Sequence, residues 1–291
     1  MVFGLSVHSS LSLPELRPDH SKPDVFIRMD KIDSLAMDVV YEENDFKILK
    51  DGVVFRWNKA ADFFVRMGRE IIIDPAPGVD ERIIRLILLG PVFAILLHQR
   101  GTLALHAATV EIGGGAVVLM GPQGCGKSAL AATLYKRGHG ILADDITAIQ
   151  FNRDREPLVL PGFPQLKLWP EIVVSLGEDP EELPRLEPGC EKRAYAINHR
   201  FAQKPIPLKR IYVLSESDHE GIYHLKPQEA MIQLIGNTYR APVVKWIRAE
   251  KHLLDCASLI NMVPIKRLDR SFSFLSLQDV AKRVEEDLAQ T

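Results

Sequence analysis

Apolar and polar positions follow two different rhythms along this chain. Up to about residue 80 the apolar runs are short and rich in β-branched and aromatic residues, at 24–28, 53–57, 63–67 and 70–74. Such runs predict strands, Asp51-Gly52 predicts a tight turn between two of them, and the Pro/Gly-rich stretch 75–78 ends the series. A longer apolar stretch follows at 83–97, shorter than a bilayer span and interrupted by Arg85, Gly90 and Pro91. It predicts a buried helix or a kinked helix pair, not a membrane segment. Residues 103–112 and 116–120 predict two strands turned by the glycines at 113–115, and 128–137 a helix stopped by Gly138. A short apolar strand from Gly140 ends at Asp144-Asp145. Beyond it the pattern predicts a helical stretch at 166–176, an acidic, proline-containing loop through 190, a strand at 211–214 and helices at 229–234, 250–261 and 277–288. Strands alternating with helices after residue 100 argue for an α/β core. The expected organisation is a small β-rich N-terminal domain over 1–80, a candidate for peptide recognition, and a phosphate-loop domain over 81–291.

Composition narrows the class. Of 291 residues, 46% are hydrophobic and 25% charged, as in ordinary globular proteins. With 36 Lys and Arg against 38 Asp and Glu, the net charge of −2 makes no electrostatic case for nucleic acid or an anionic membrane as partner. The basic stretch 204–210 reads as a solvated loop. Cys125, Cys190 and Cys256 show neither metal-ligand spacing nor a disulfide framework, and residues 1–13 lack the basic start and apolar run of a secretory signal. A reduced, cytoplasmic setting is expected.

The chemistry centres on Gly121-Pro122-Gln123-Gly124-Cys125-Gly126-Lys127-Ser128, which satisfies the phosphate-loop pattern G-x-x-x-x-G-K-[ST]. Its glycines let backbone N–H groups curl around an anion, Lys127 can reach the β- and γ-phosphates, and the Ser128 hydroxyl can sit on Mg²⁺. A strand before the loop and a helix after it supply the required context, because the helix N-terminus adds to the anion site. Cys125 is either an oxidation-sensitive thiol or a freely variable position of the loop. Of Asp144 and Asp145, one can hold Mg²⁺ while the other takes a proton from an attacking hydroxyl. Adjacent strand residues face opposite ways, so both serve one site only if the backbone turns there; otherwise one of them caps the turn. His106 can be carried towards the phosphates by the hairpin and handle a proton there, or be a satisfied core histidine. Lys192 and Arg193 can close over the nucleotide and add positive charge at the phosphoryl group, or form a surface pair balanced by Glu191. Lys167 and Arg210 are weaker candidates for that task. Trp169 reads as core and His139 as a helix-end residue.

His106, the glycine turn, the loop Gly121 to Ser128, and Arg137-Gly-His-x-x-x-Ala-Asp-Asp145 together resemble the catalytic core of the HPr kinase/phosphorylase family, bacterial enzymes that phosphorylate a protein serine. The resemblance implies a phosphate-loop fold related to phosphoenolpyruvate carboxykinase, with ATP and Mg²⁺ as cofactors. By it, the loop from Gly121 to Ser128 binds nucleotide, with Lys127 on phosphate. It puts Ser128 on the metal, has the Asp144–Asp145 pair supply a general base and a metal contact (Asp144, or its neighbour, as base and Asp145 as a metal contact), and sets His106 beside the transferred phosphoryl. It covers about residues 100–150. Ala129 stands where that family has an acidic residue, and the family's glycine-containing C-terminal signature is not found. The whole-chain pattern, including Leu13-Pro-Glu-Leu16 and the segment from Pro161 to Trp169, is similar to HPr-kinase-like proteins encoded with lasso-peptide genes, which phosphorylate the C-terminal serine of a precursor peptide. The expected partner is therefore a serine-bearing peptide or protein, and the family's habit adds a homo-oligomer. The rival readings are HPr itself as acceptor, a nucleotide-hydrolysing switch that uses water, and a nucleotide-binding assembly module.

Overall fold

The computed structural model describes residues 1–33, 38–57, 60–271 and 277–290. Among the described residues the chain first lays down β1 (Val7–Ser9), β2 (Val25–Met29), β3 (Val39–Glu43), β4 (Phe46–Leu49), β5 (Gly52–Trp57), β6 (Ala61–Arg66) and β7 (Glu70–Pro75). They form one sheet in the order β1-β2-β7-β6-β5-β4-β3. In the strands β4 to β7 residues on both faces are buried, so those runs do not alternate cleanly, whereas β2 does, with Val25 and Ile27 buried and Phe26 exposed. Val53, Phe55, Phe63, Val65, Ile71 and Ile73 face the main core, while Val54, Phe64 and Ile72 pack with Leu49 and Ile32 on the other side.

Two helices follow, α1 (Glu81–Ile87) and α2 (Phe93–Gln99), joined through one π-type turn at Leu88–Val92. Asp80 caps α1 by accepting the Arg82 N–H (2.8 Å). Pro91 lacks an N–H and Gly90 takes φ −104° and ψ −113°, so the kink expected of the 83–97 stretch has a defined cause. The pair packs into the same apolar core as the first sheet, and that core continues into Ala104, Ile146, Ala148 and Leu160. A boundary at residue 80 therefore runs along a continuous core.

The second sheet contains β8 (Leu103–Ile112), β9 (Gly115–Met120), β10 (Gly140–Ala143), β11 (Ile146–Phe151) and β12 (Pro157–Leu160), and later β15 (Ile206–Glu216), β16 (Gly221–His224) and β17 (Ile265–Arg270). A separate two-stranded unit is built from β13 (Gln165–Leu168) and β14 (Arg193–Ala196). The remaining helices are α3 (Lys127–Lys136), α4 (Pro170–Ser175), α5 (Pro227–Gly236), α6 (Ala241–Ile247), α7 (Ala249–Met262) and α8 (Leu277–Ala289). The long strand β8 pairs antiparallel with β11 through residues 103–106, then with β9 and β10 through 107–112. The centre is parallel, β15 lying between β9 and β17. Along β9, Val117 and Leu119 face the core under α3 and α8, and Ala116, Val118 and Met120 face the core under α5 and α7. Helices on both faces of a mixed sheet make this an α/β fold.

Two expectations are corrected here. The stretch 166–176 is not one helix: Leu166 and Leu168 are buried while Gln165 and Lys167 are not, a period of two that makes β13, and Pro170 at the first helical position starts α4. The basic stretch 204–210 is not a loop but runs into β15, with Arg210 fully buried. Its guanidinium reaches Asp287 (2.8 Å), which also accepts from Tyr212 (2.6 Å) and Lys266 (2.6 Å), so Arg210 serves that cluster and not the phosphate loop. Among the described residues, no helix is long and apolar enough to cross a membrane.

Candidate active site

The loop between β9 and α3 owes its shape to three glycines with positive φ: Gly121 (145°), Gly124 (84°) and Gly126 (91°). A Cβ on Gly121 would lie 2.7 Å from the Leu214 carbonyl oxygen, so that position admits no side chain without a shift of the backbone. Lys127 is buried and its ammonium donates to the carbonyls of Gly121 (2.9 Å) and Pro122 (3.0 Å), curling over the loop it belongs to. Burial pulls it below the ordinary lysine value, and Cys125, Asp144 and Asp145 only partly oppose this. Cys125 itself is buried and its thiol is pushed up by burial, which suits a packed thiol and not a readily oxidised one. The three cysteines are free.

Asp144 and Asp145 lie between β10 and β11, where the backbone turns: Asp145 takes φ 72°. That left-handed residue lets both carboxylates reach one cavity of about 150 Å³, lined also by Ser128, Lys167, Trp169 and Lys192. Their settings differ. Asp144 accepts from the Ser128 hydroxyl (2.8 Å) and from the Lys167 N–H (2.8 Å), and burial raises its carboxyl above the ordinary value in spite of those bonds. Burial pushes Asp145 up as well, but Lys167, His106 and Lys192 together outweigh it and leave its carboxyl below the ordinary value. Its oxygens lie 2.7 Å from the Lys167 ammonium, 3.9 Å from His106 Nδ1 and 3.5 Å from the Tyr239 hydroxyl.

His106 is half-buried at the point where β8 leaves β11 for β9. Its ring stacks on Tyr239 with centroids 5.3 Å apart. Burial lowers its pKa, and although Asp145 pulls it up, Lys127, Lys167 and Lys192 add to the lowering, so the ring is neutral at pH 7. Asn237 ties the pieces together, its side chain accepting the Gly121 N–H (3.1 Å) and its carbonyl the His106 N–H (2.7 Å).

The structure thus brings together the loop, His106, Asp144, Asp145 and Lys192, whose ammonium sits 5.3 Å over the Trp169 ring. It separates Arg193 from them. Arg193 is 2% exposed and donates to the Pro180 carbonyl (2.7 Å), the Glu191 carbonyl and Glu181 (2.7 Å), anchoring the proline loop from beneath. Lys192 lies just before β14 and lines the cavity, whereas Arg193 opens β14 with its guanidinium committed to Pro180, Glu181 and Glu191, so of the pair Lys192 alone lines the cavity. Trp169 is 48% exposed at the cavity, not core, and His139 meets Glu285 (2.8 Å) on α8. Ser128 bonds Asp144 and not Asp145.

Lys167 was the weaker candidate in the sequence and is the closest cation to Asp145. The period-two alternation of 165–168 was the signal that would have turned it outward. Tyr239, Asn237 and Gly90 had no such signal. A Cβ on Gly90 would lie 3.7 Å from Asp145 Oδ2 and 3.6 Å from the Tyr239 hydroxyl, so the helix kink forms one wall beside the carboxylates.

Comparison with known proteins converges on the same segment. Residues 100–162 match the family model for the HPr Serine kinase C-terminal domain. The chain is similar to the HPr kinase/phosphorylase of Chlorobium limicola, 44% identical over 64 residues, covering 22% of this chain and 18% of the relative. It is similar to that of Bordetella avium at 38% over 65 residues (22% and 20%) and that of Bacillus pumilus at 43% over 58 residues (20% and 18%). The chain therefore spans about a fifth of the length of the curated relatives it matches. A looser likeness is to the solved HPr(Ser) kinase/phosphatase of Coxiella burnetii, with 11% identity, TM-score 0.36, 64% of this chain and 97% of that one covered.

Proposed function

We propose that the chain is a phosphotransferase that moves the γ-phosphoryl of ATP to a serine hydroxyl of a peptide or protein. The observation that carries this reading is the convergence of two differently dressed carboxylates, Asp144 on Ser128 and Asp145 beside His106 and Lys167, on one cavity at the start of α3. The glycine loop and the α3 N-terminus receive the phosphates, and Lys127 leaves its two carbonyl partners to meet the β- and γ-oxygens.

The residues present fit Mg²⁺. Ser128 Oγ and Asp144 Oδ1 are hard oxygen donors 2.8 Å apart beside the phosphate cradle, the kind of partial shell that Mg²⁺ completes with phosphate oxygens and water. When bound, the ion would neutralise charge on the phosphates. Asp145 is the better placed general base. It is ionised, it faces a neutral imidazole, and Lys167 and the Tyr239 hydroxyl hold one of its oxygens while the other faces His106. In this reading the carboxylate takes the serine proton as the hydroxyl attacks in line, and Lys167 and Lys192 offset the negative charge on the moving phosphoryl group. Of the pair that the sequence left undivided, this reading takes Asp145 as the base and Asp144 as the metal contact.

The finer question is the acceptor. Its serine belongs either to HPr, which the names of the relatives favour, or to the C-terminus of a lasso precursor peptide, which Ala129 and the whole-chain pattern favour. Incubation with labelled ATP, Mg²⁺ and each acceptor in turn, read by mass spectrometry, decides both points. Phosphoserine on one acceptor supports the kinase and names its substrate. Release of free phosphate alone, at a rate indifferent to either acceptor, would replace it with a nucleotide-hydrolysing switch.

A further inference from the structure

Trp169 leaves about half of its surface in solvent beside the phosphate cavity, although a tryptophan is on average well covered. It follows β13 in extended backbone (φ −70°, ψ 151°), a conformation that Pro170 after it favours. Residues two apart on extended backbone share a face, so Trp169 lies on the side of Lys167 and about 7 Å further along the chain. The Lys167 ammonium ends on Asp145 (2.7 Å). Trp169 stands towards α3 instead, because α4, which it opens, packs through Ile172 into the same apolar cluster as Ala129, the residue after Ser128. The cavity is therefore polar at one end, at His106, Asp145 and Lys167, and apolar at the other, at Ala129, Ile172 and Trp169. Over the indole stands the Lys192 ammonium, 5.3 Å from the ring centroid. Among the described residues that ammonium makes no hydrogen bond or ion pair, so the ring is its one seat.

We propose that the Trp169 indole is the platform on which the base of the nucleotide stacks, and that Lys192 gives up the ring for the phosphates when the base arrives. The inference deepens the kinase reading and rests on it only for a nucleotide in this cavity. Transfer needs the γ-phosphoryl at the Asp145 end. Lys127 and Ser128 then hold the middle of the triphosphate, and the ribose and base trail towards Ala129 and α4. A base seeks a flat apolar face there. The other ring that lines the cavity, His106, has its face on Tyr239 and lies at the wrong end. Stacking of a base on an aromatic ring outweighs a cation–π contact at an exposed site, so the exchange is favourable. The displaced ammonium already acts on Asp145 and Lys127 across the cavity, so it has a short way to travel.

The test compares two ligands on the full chain by calorimetry, both with Mg²⁺: the non-hydrolysable analogue β,γ-methylene-ATP and inorganic tripolyphosphate, which has the phosphates without the nucleoside. The wild-type chain should bind the analogue about tenfold more tightly or better. Trp169→Ala should weaken the analogue by about the same factor and leave tripolyphosphate within about twofold, and Trp169→Phe, which keeps a ring, should restore most of the loss. Lys192→Ala should weaken both ligands alike, because its charge goes to the phosphates. Equal affinity of the two ligands for the wild-type chain overturns the proposal without relying on any variant's folding. So does a Trp169→Ala chain that loses both ligands alike or loses neither, and so does a Lys192→Ala loss confined to the analogue, which would make Lys192 the holder of the base. The two readings fail separately. A base advantage tied to Trp169 without transfer to any acceptor removes the kinase and leaves the platform. Transfer with no base advantage removes the platform and leaves the kinase, and no binding of either ligand at millimolar concentration removes both.

Discussion

The glycine loop with its two carboxylates, here called the cradle, and the N-terminal sheet are built on opposite terms. The sheet of β1 to β7 is ordinary in every local respect: extended backbone, apolar side chains on both faces, and large rings such as Phe55 and Phe63 fully buried. The cradle spends its residues on unusual conformations and on polar groups out of water: Gly121, Gly124, Gly126 and Asp145 at positive φ, and Lys127 and Asp144 both under 10% exposed. One region is held by area removed from water, the other is a small polar assembly that the surrounding core must hold in place. The difference teaches where a substitution acts. In the sheet it should alter stability and leave the chemistry alone; in the cradle it should do the reverse.

The sharpest break would come from Asp145→Asn. If Asp145 is the base, kcat falls by about 10² to 10⁴ while nucleotide affinity and melting temperature hold, read by single-turnover transfer and by calorimetry. A rate close to wild type would return the base to Asp144. In the sheet, Phe63→Ala should cost about 3–5 kcal/mol of unfolding free energy by urea titration. Its kcat at a temperature where the chain is folded should stay within about twofold of wild type. A large kcat loss there would mean that the two regions are not energetically separate.

A smaller effect concerns acid. Burial holds His98 at about 3, aided by Arg248 and His252, with only backbone partners pulling up. An unfolded histidine near 6.5 takes its proton first, so the unfolded state binds more protons between those values. Stability is present above about pH 6.5 and is lost as pH falls towards 3, by about 2 kcal/mol between pH 7 and pH 5. His98→Phe should flatten that part of the urea-midpoint profile. The smallest effect is expected from Tyr239→Phe. Loss of a hydroxyl 3.5 Å from Asp145 with the His106 stack kept should lower kcat by less than about tenfold and leave ATP affinity as it was. Tyr239→Ala, which also removes the stack, should cost more.

How much of this was legible in the sequence follows the same division. The glycine loop, the hairpin before it and the carboxylate pair after it were readable because each depends on neighbours within about ten residues: a turn needs its glycines, and a strand end needs its break. The kink at Gly90 and Pro91 was readable for that reason too. The period at 165–168 was also local, but the leucines suggested a helix, and Lys167 was undervalued with it. Tyr239 and Asn237 come from the end of α5, more than a hundred residues from the loop, and only the packing of α5 and α7 on the sheet brings them there. Arg193 was overvalued because its partners, Pro180 and Glu181, lie more than ten residues back in the chain, and a basic pair carries no information about which member they take up.

The helix kink has a consequence for any attempt to reuse this site elsewhere. The segment shared with known kinases, 100–162, supplies the cradle, but Gly90 stands against Asp145 and Tyr239 from outside that segment. The helices that hold Gly90 keep their apolar sides in a core shared with the first sheet. Grafted alone onto another scaffold, the segment would keep its motif and lose this wall together with Lys167, Asn237 and Tyr239, so the transplantable unit extends from the first sheet through the end of α5.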